Sequence, residues 1–211
     1  MKRNNAVPWW GWTAWLVDLA VGILVVLRVH HLAGSVHHRP VPVWMAVFYV
    51  PGLMLAILLV WQVLWRIDPR RRNYAGFWPT YRFIGGVVIV GVSLVYLLEL
   101  GFEMHLATIR WAPTAWGVMF MTVVNVLPRV RSNWWIGVRT PWTLSSEQSW
   151  TRTNRLAGQL GIPTGALSIV LAWVLPAGRD LILAIVGPVL AWALVTTVAS
   201  YFFAQGANGT S

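Results

Sequence analysis

The chain of 211 residues contains no cysteine, which excludes a disulfide framework, a thiolate metal site and a cysteine nucleophile. Charge is almost as scarce. Charged residues make up 10% of the sequence and acidic ones number only six, against about 25% charged in an ordinary soluble domain. Also missing are an HExxH helix, a Gly-rich phosphate-cradling loop and a Ser/His/Asp constellation, so no catalytic class is indicated and no cofactor is implied.

What remains is apolar. Hydrophobic residues make up 57% of the chain, with 16 Trp and 12 Pro, and Trp collects where a bilayer meets water because its ring is half buried while its N–H stays wet. The composition is that of an integral membrane protein. The net charge of +10 does not point to nucleic acid, because the basic residues lie between apolar runs instead of clustering on a soluble face. Anionic lipid headgroups and the bilayer itself are the expected partners.

A spanning helix needs about 20 mainly apolar residues. Six stretches come near that length, at about 8–28, 43–65, 82–101, 112–128, 159–175 and 181–203. The opening stretch is basic like a leader, yet its apolar run is long and carries Trp and Asp18, so it reads as the first span. Pro113 suits the first turn of the fourth span. Placing the N-terminus inside puts twelve Lys and Arg on the cytoplasmic side and four (Arg28, Arg39, Arg110 and Arg179) outside, the asymmetry of a cytoplasmic excess. The expected fold is therefore all-α: a single polytopic domain over 1–211, a six-helix transmembrane bundle with N- and C-termini cytoplasmic.

Between the fourth and fifth spans lies "RSNWWIGVRTPWTLSSEQSW", residues 131–150, within a cytoplasmic loop at 129–158. Arg131 and Arg139 are able to hold phosphate groups, while Trp134, Trp135, Trp142 and Trp150 are expected at the acyl boundary. Thr140 precedes Pro141 and is pushed toward an extended conformation, which predicts a sharp turn at "RTPWT". An amphipathic helix then starts at Ser146, with Ser145 as N-cap and Gln148 closing a capping box. Trp150, Asn154 and Gly158 share one face of it, and Gly161 with Gly165 has the spacing of a close helix contact. An earlier loop, "RRNYAGFWPT" (71–80), echoes 131–141 in running from Arg through Asn and an aromatic residue to Gly and Pro. On these rules alone the block reads as an aromatic belt with a basic inner loop.

The stretch "NWWIGVRTPWTLSSEQSWTRTNRLAG" resembles the signature of the SdpI family, bacterial membrane immunity proteins directed against a secreted, membrane-active peptide. Asn133, Gly137, Arg139, Thr140, Pro141, Trp142, Thr143, Leu144, Trp150, Asn154 and Gly158 carry the match. A second stretch, "RIDPRRRNYAGFWPTYRFI" (66–84), is similar to the link after the second span in longer family members, with Asp68, Pro69, Asn73, Tyr74 and Tyr81 in register. The outer loop "RVHHLAGSVHHRPVP" departs from the Pro-x-His pattern usual there. The resemblance implies a multi-pass protein of the bacterial cell membrane that confers toxin resistance without catalysis. It also poses a conflict of sides, because a secreted toxin arrives outside while the signature is expected inside. Either the peptide is met within the bilayer and the block shapes the bundle, or the block serves a cytoplasmic protein partner.

Acids inside the spans are the other informative feature. Asp18 lies near the middle of the first span, where a carboxylate is held only at an expense of roughly 2.5–3.5 kcal/mol and must face the bundle. Ser93, Tyr96, Glu99 and Glu103 run along one face of the third span. Asp18 with Glu99 suits a small ion- or proton-coupled transporter. Glu99, Glu103 and His105 with His30, His31, His37 and His38 of the outer loop suit a metalloprotein. Pairing of the acids with Arg28 or Arg110 is the plainer account.

Overall fold

The computed structural model describes residues 5–28, 34–36, 39–41, 43–102, 110–176 and 180–208. These form seven α-helices: α1 (Trp9–Arg28), α2 (Val43–Ile67), α3 (Trp78–Phe102), α4 (Trp111–Asn125), α5 (Pro141–Ser145), α6 (Glu147–Val174) and α7 (Asp180–Asn208). A small hairpin, β1 (Gly34–Val36) with β2 (Arg39–Val41), pairs antiparallel in the α1–α2 connection. Helices α1, α2, α3, α6 and α7 are long and apolar enough to cross a bilayer. Their outward faces carry Leu, Val, Ile, Trp and Phe open to the surroundings, as a lipid-facing surface requires.

The fourth helix differs from expectation. It has 15 residues and rises about 22 Å at 1.5 Å per residue, short of the roughly 30 Å hydrocarbon core. Its end at Asn125, ahead of the 3-10 turn Leu127–Arg129, follows from Pro128, which cannot continue an α-helix. Pro113 does lie in its first turn. Helix α3 starts at Trp78, four residues before the expected boundary. The fifth span and the amphipathic segment form one continuous helix, α6, as expected.

The helices divide into two groups, α1–α3 and α4–α7, joined by α3 against α4. In the first group, Pro51 inside α2 lacks an N–H, so the Val47 carbonyl one turn earlier loses its helical donor; the Tyr96 hydroxyl of α3 donates to that oxygen at 2.8 Å. The Pro51 carbonyl accepts from Trp15 Nε1 of α1 at 2.9 Å. One break in α2 thus anchors both neighbours. Asp18 faces the bundle as expected: it is fully buried, and Ser93 donates to Oδ1 at 2.9 Å.

In the second group, α6 approaches α4 along Gly158, Gly161 and Gly165. A methyl at Gly165 would meet the Gly117 carbonyl at 2.9 Å, one at Gly158 the Val124 carbonyl at 3.0 Å, and one at Gly161 the Val124 side chain. The GxxxG spacing therefore serves close helix contact. We predict that Gly165→Ala lowers stability by about 1–3 kcal/mol, the usual penalty of overpacking, whereas Gly52→Ala, which meets nothing within 4 Å, leaves it unchanged or raised. Unfolding midpoints of the purified variants test this; equal midpoints would refute a packed α4–α6 seam.

Candidate functional site

Asp68 is the last polar residue before a tight turn and is almost fully buried. Its Oδ1 accepts from the Arg70 amide at 2.6 Å, and its Oδ2 accepts from the Tyr74 hydroxyl at 2.8 Å and the Trp134 amide at 2.9 Å. The last bond crosses to the signature block. Arg70 donates through Nη1 to Ser132 Oγ and through Nη2 to the Leu144 carbonyl, and Asn73 Nδ2 donates to the Ser132 carbonyl at 2.7 Å. The two echoing loops are thereby packed against each other.

Within the block, Asn133 satisfies its whole side-chain amide locally. Its oxygen accepts from the Trp135 and Ile136 amides, both at 2.8 Å, and its nitrogen donates to the carbonyls of Arg131 and Ile136. That tight loop ends at Gly137, whose φ of +111° is costly for a residue with a Cβ. A methyl there would also meet Asn154 Oδ1 at 2.6 Å. The same oxygen accepts from the Val138 amide at 2.9 Å, so Asn154 on α6 holds the loop's exit. Trp150, one turn earlier, donates from Nε1 to the Val130 carbonyl at 2.8 Å. It is buried rather than at the acyl boundary, a correction forced by its unmet N–H, which finds its acceptor inside. Trp134, Trp135 and Trp142 are exposed.

Thr140 is extended, as expected before proline, but Pro141 opens the short helix α5 instead of a plain turn. The capping box is formed here: Thr143 N donates to Thr140 Oγ1 at 3.2 Å and Thr140 N to Thr143 Oγ1 at 2.9 Å. Helix α6 is capped by Ser146, which accepts from the Ser149 amide, not by Ser145 with Gln148. Ser145 is already the last residue of α5. Thr140 Oγ1 lies 3.0 Å from Ser200 Oγ and Ser149 Oγ donates to the Ser200 carbonyl at 3.2 Å, fastening the block to α7. Arg139 is exposed and gives Nη1 to the Trp134 carbonyl.

The structure therefore gathers Asn133, Gly137, Arg139, Thr140, Pro141, Trp142, Thr143, Trp150 and Asn154 at one end of the bundle. Sequence reasoning singled out Asp68, Asn73 and Tyr74 only as matches in register, and missed Arg70, Ser132, Ser149 and Ser200; for Ser200, deep in an apolar run, no signal exists. Asp18 is separate from this cluster, and its Oδ2 has no hydrogen-bond partner among the described residues. Glu99 lies in α3, but its side chain, together with Glu103, His105, His30, His31, His37 and His38, falls outside the described residues. Among the described residues no group of His, Asp and Glu forms a metal-binding cluster.

Comparison with known proteins supports the resemblance read from the signature. The model of the SdpI/YfhL protein family matches residues 129–200, from the 3-10 turn through Ser200. The immunity protein SdpI of Bacillus subtilis (strain 168) is 26% identical over 166 residues, 79% of this chain and 78% of that protein. No solved structure matches the chain.

Burial, reinforced by donation to Asp68, raises the Tyr74 pKa above the ordinary tyrosine value. The folded protein thus keeps a proton that the unfolded chain releases near pH 10, so this contribution is constant below about pH 10 and is lost as pH rises beyond it. We expect Tyr74 to stay protonated in the folded protein under alkaline conditions that ionise it in the unfolded chain, so that its phenolate absorbance, read as the difference from Tyr74→Phe, appears only on unfolding. Asp68→Asn turns one acceptor into a donor and should lower stability by about 1–3 kcal/mol, with coupling to Tyr74→Phe in a double-mutant cycle. Simple additivity of the two would contradict the network.

Proposed function

We propose that this chain is a non-catalytic immunity or resistance protein of the bacterial cell membrane that protects against a secreted, membrane-active peptide. The observation carrying this reading is that the block resembling the family signature is densely hydrogen-bonded to the turn after α2, to α6 and to α7, holding them in one arrangement. A bundle rigid at one end is suited to meeting a peptide within the bilayer, with stoichiometric capture and no chemistry required. The similarity to the Bacillus subtilis immunity protein supports the same reading.

The proposal includes six spans, with α4 and the following 3-10 turn as a short fourth crossing, and both termini cytoplasmic. It draws on the twelve-to-four distribution of Lys and Arg. In this orientation the block is cytoplasmic, and Arg139 with the exposed Trp134, Trp135 and Trp142 is the surface available to headgroups or to a cytoplasmic protein partner. A second reading, ion- or proton-coupled transport, is favoured by one observation: Asp18 buries an oxygen without a hydrogen-bond partner among the described residues, and such groups inside membranes are commonly functional. Flux through proteoliposomes that Asp18→Asn abolishes would put that reading first.

Three outcomes are expected. Titrated expression in a sensitive bacterium should protect in proportion to copy number while the peptide in the medium stays intact. Peptide depletion at low expression would instead mean an enzyme. Arg139→Lys keeps the charge but loses the planar fork, so it should accumulate normally yet lose most protection, whereas full protection would reduce Arg139 to a generic charge. Because the chain has no cysteine, single cysteines report topology cleanly. Ser35→Cys and Thr108→Cys should label from outside intact cells, and exposed Ser145→Cys should not; external labelling at 145 would invert the topology.

A further inference from the structure

The α3–α4 seam that joins the two helix groups opens, at the end bearing the signature block, into a cavity of about 410 Å³. Pro79, Phe83 and Val126 supply its apolar lining, and Thr80, Thr122, Asn125 and Arg129 its polar one. Thr122 is occupied, donating to the Val118 carbonyl at 2.8 Å. Thr80, Asn125 and Arg129 have no side-chain partner among the described residues. Three unused polar groups, one of them a guanidinium, thus converge where α3 begins and α4 ends.

Arg129 also lines a second cavity of about 480 Å³, with Arg131, Asn73 and Glu147. The Glu147 carboxylate makes that chamber a poorer host for an anion, whereas no acid lines the first. A third cavity, of about 220 Å³ and bounded by Leu53, Val92, Val95 and Met119 among others, offers almost no donors and carries no such preference. Of these three cavities, the one at the α3–α4 seam combines Arg129 and hydrogen-bond donors, without an acid in its lining, with an apolar wall on a helix able to cross a bilayer.

We propose that this cavity binds one anionic glycerophospholipid, its phosphodiester on Arg129 and Asn125 and the start of its acyl chains along Phe83 and Val126. Arg is suited to phosphate because its planar fork donates two parallel bonds. Glycerol oxygens meet Thr80. A lipid held there braces the junction between the two helix groups, so it stabilises the folded chain in addition to binding it. The site depends on the chain being embedded in a membrane and is independent of whether it confers immunity.

The test uses the full chain purified in neutral detergent, with phosphatidylglycerol, phosphatidylcholine, inorganic phosphate and glycerol 3-phosphate as separate probes. Affinity is read by native mass spectrometry and stability by the thermal midpoint. Phosphatidylglycerol should bind more tightly than phosphatidylcholine and raise the midpoint. Arg129→Gln should weaken that binding by about tenfold or more, as expected for loss of a charge-assisted contact, and Asn125→Leu, which keeps the net charge, should weaken it too. Arg152→Gln removes an exposed charge on α6 outside the cavity and should change affinity by no more than the roughly fivefold of a general surface charge. Equal effects at 129 and 152 would reduce the attraction to a diffuse field and overturn the site. Matching stabilisation by the soluble phosphates would overturn the lipid assignment in favour of a soluble anion. An unaltered lipid-free midpoint for Asn125→Leu keeps the result separate from misfolding.

Discussion

The Asp68 carboxylate is the point at which the two helix groups are tied at their signature end. It receives an amide from its own turn, a hydroxyl from the adjoining 3-10 segment and an amide from Trp134, across 66 residues of sequence. Each of those donors is at or near the interior, where an unmade hydrogen bond is penalised by the full desolvation of the group. The bonds are therefore interdependent: without the carboxylate, Trp134 loses its acceptor, the turn held by Asn133 loses its anchor, and Arg70 no longer lies across Ser132 and the Leu144 carbonyl. Aromatic packing closes the same region, with Tyr81 stacked on Trp61 at 4.8 Å and set edge-on to Tyr74 at 5.1 Å.

From that tie, order passes along α6. Asn154 and Trp150 hold the loop from one face of the helix, Ser149 and Thr140 hold α7, and the glycines beyond them let α4 approach. The signature residues are thus mainly internal supports. Arg139, Pro141 and the exposed tryptophans form the outward portion, while the buried members set the relative geometry of α6 and α7, helices long and apolar enough to cross a bilayer.

How much was legible beforehand differed by kind of signal. Long apolar runs announced five of the helices, because a membrane requires each to satisfy its own backbone. The inward face of Trp150, Asn154 and Gly158 was legible in its four-residue spacing, though the interfacial habit of Trp argued the other way for Trp150 and was overridden by the Val130 carbonyl. Caps were misplaced by one residue, since Ser145 and Ser146 are chemically equivalent in the sequence and only the capping of α5 by Thr140 and Thr143 assigns Ser145 to the preceding helix. Asp68 was visible only as a match in register. Its bonds to Tyr74 and Trp134 depend on two loops meeting, which no local pattern encodes. Helix α4 was judged too long because its apolar run continues through Val126 and Leu127, while Pro128 shortens the helix itself.

Pro51 has a consequence for how α2 and α3 lie along each other. By stripping the Val47 carbonyl of its helical donor, the proline leaves one acceptor in α2 that only a side chain at the right height can fill, and Tyr96 sits at that height. Sliding α3 by a single turn, about 5.4 Å, would strand a bare carbonyl in hydrocarbon at an expense of several kcal/mol. Apolar helices in lipid are otherwise smooth and poorly indexed against one another. The proline and the tyrosine act together as a notch and a pin, so that an irregularity inside one helix becomes the mark from which its neighbour's axial position is measured.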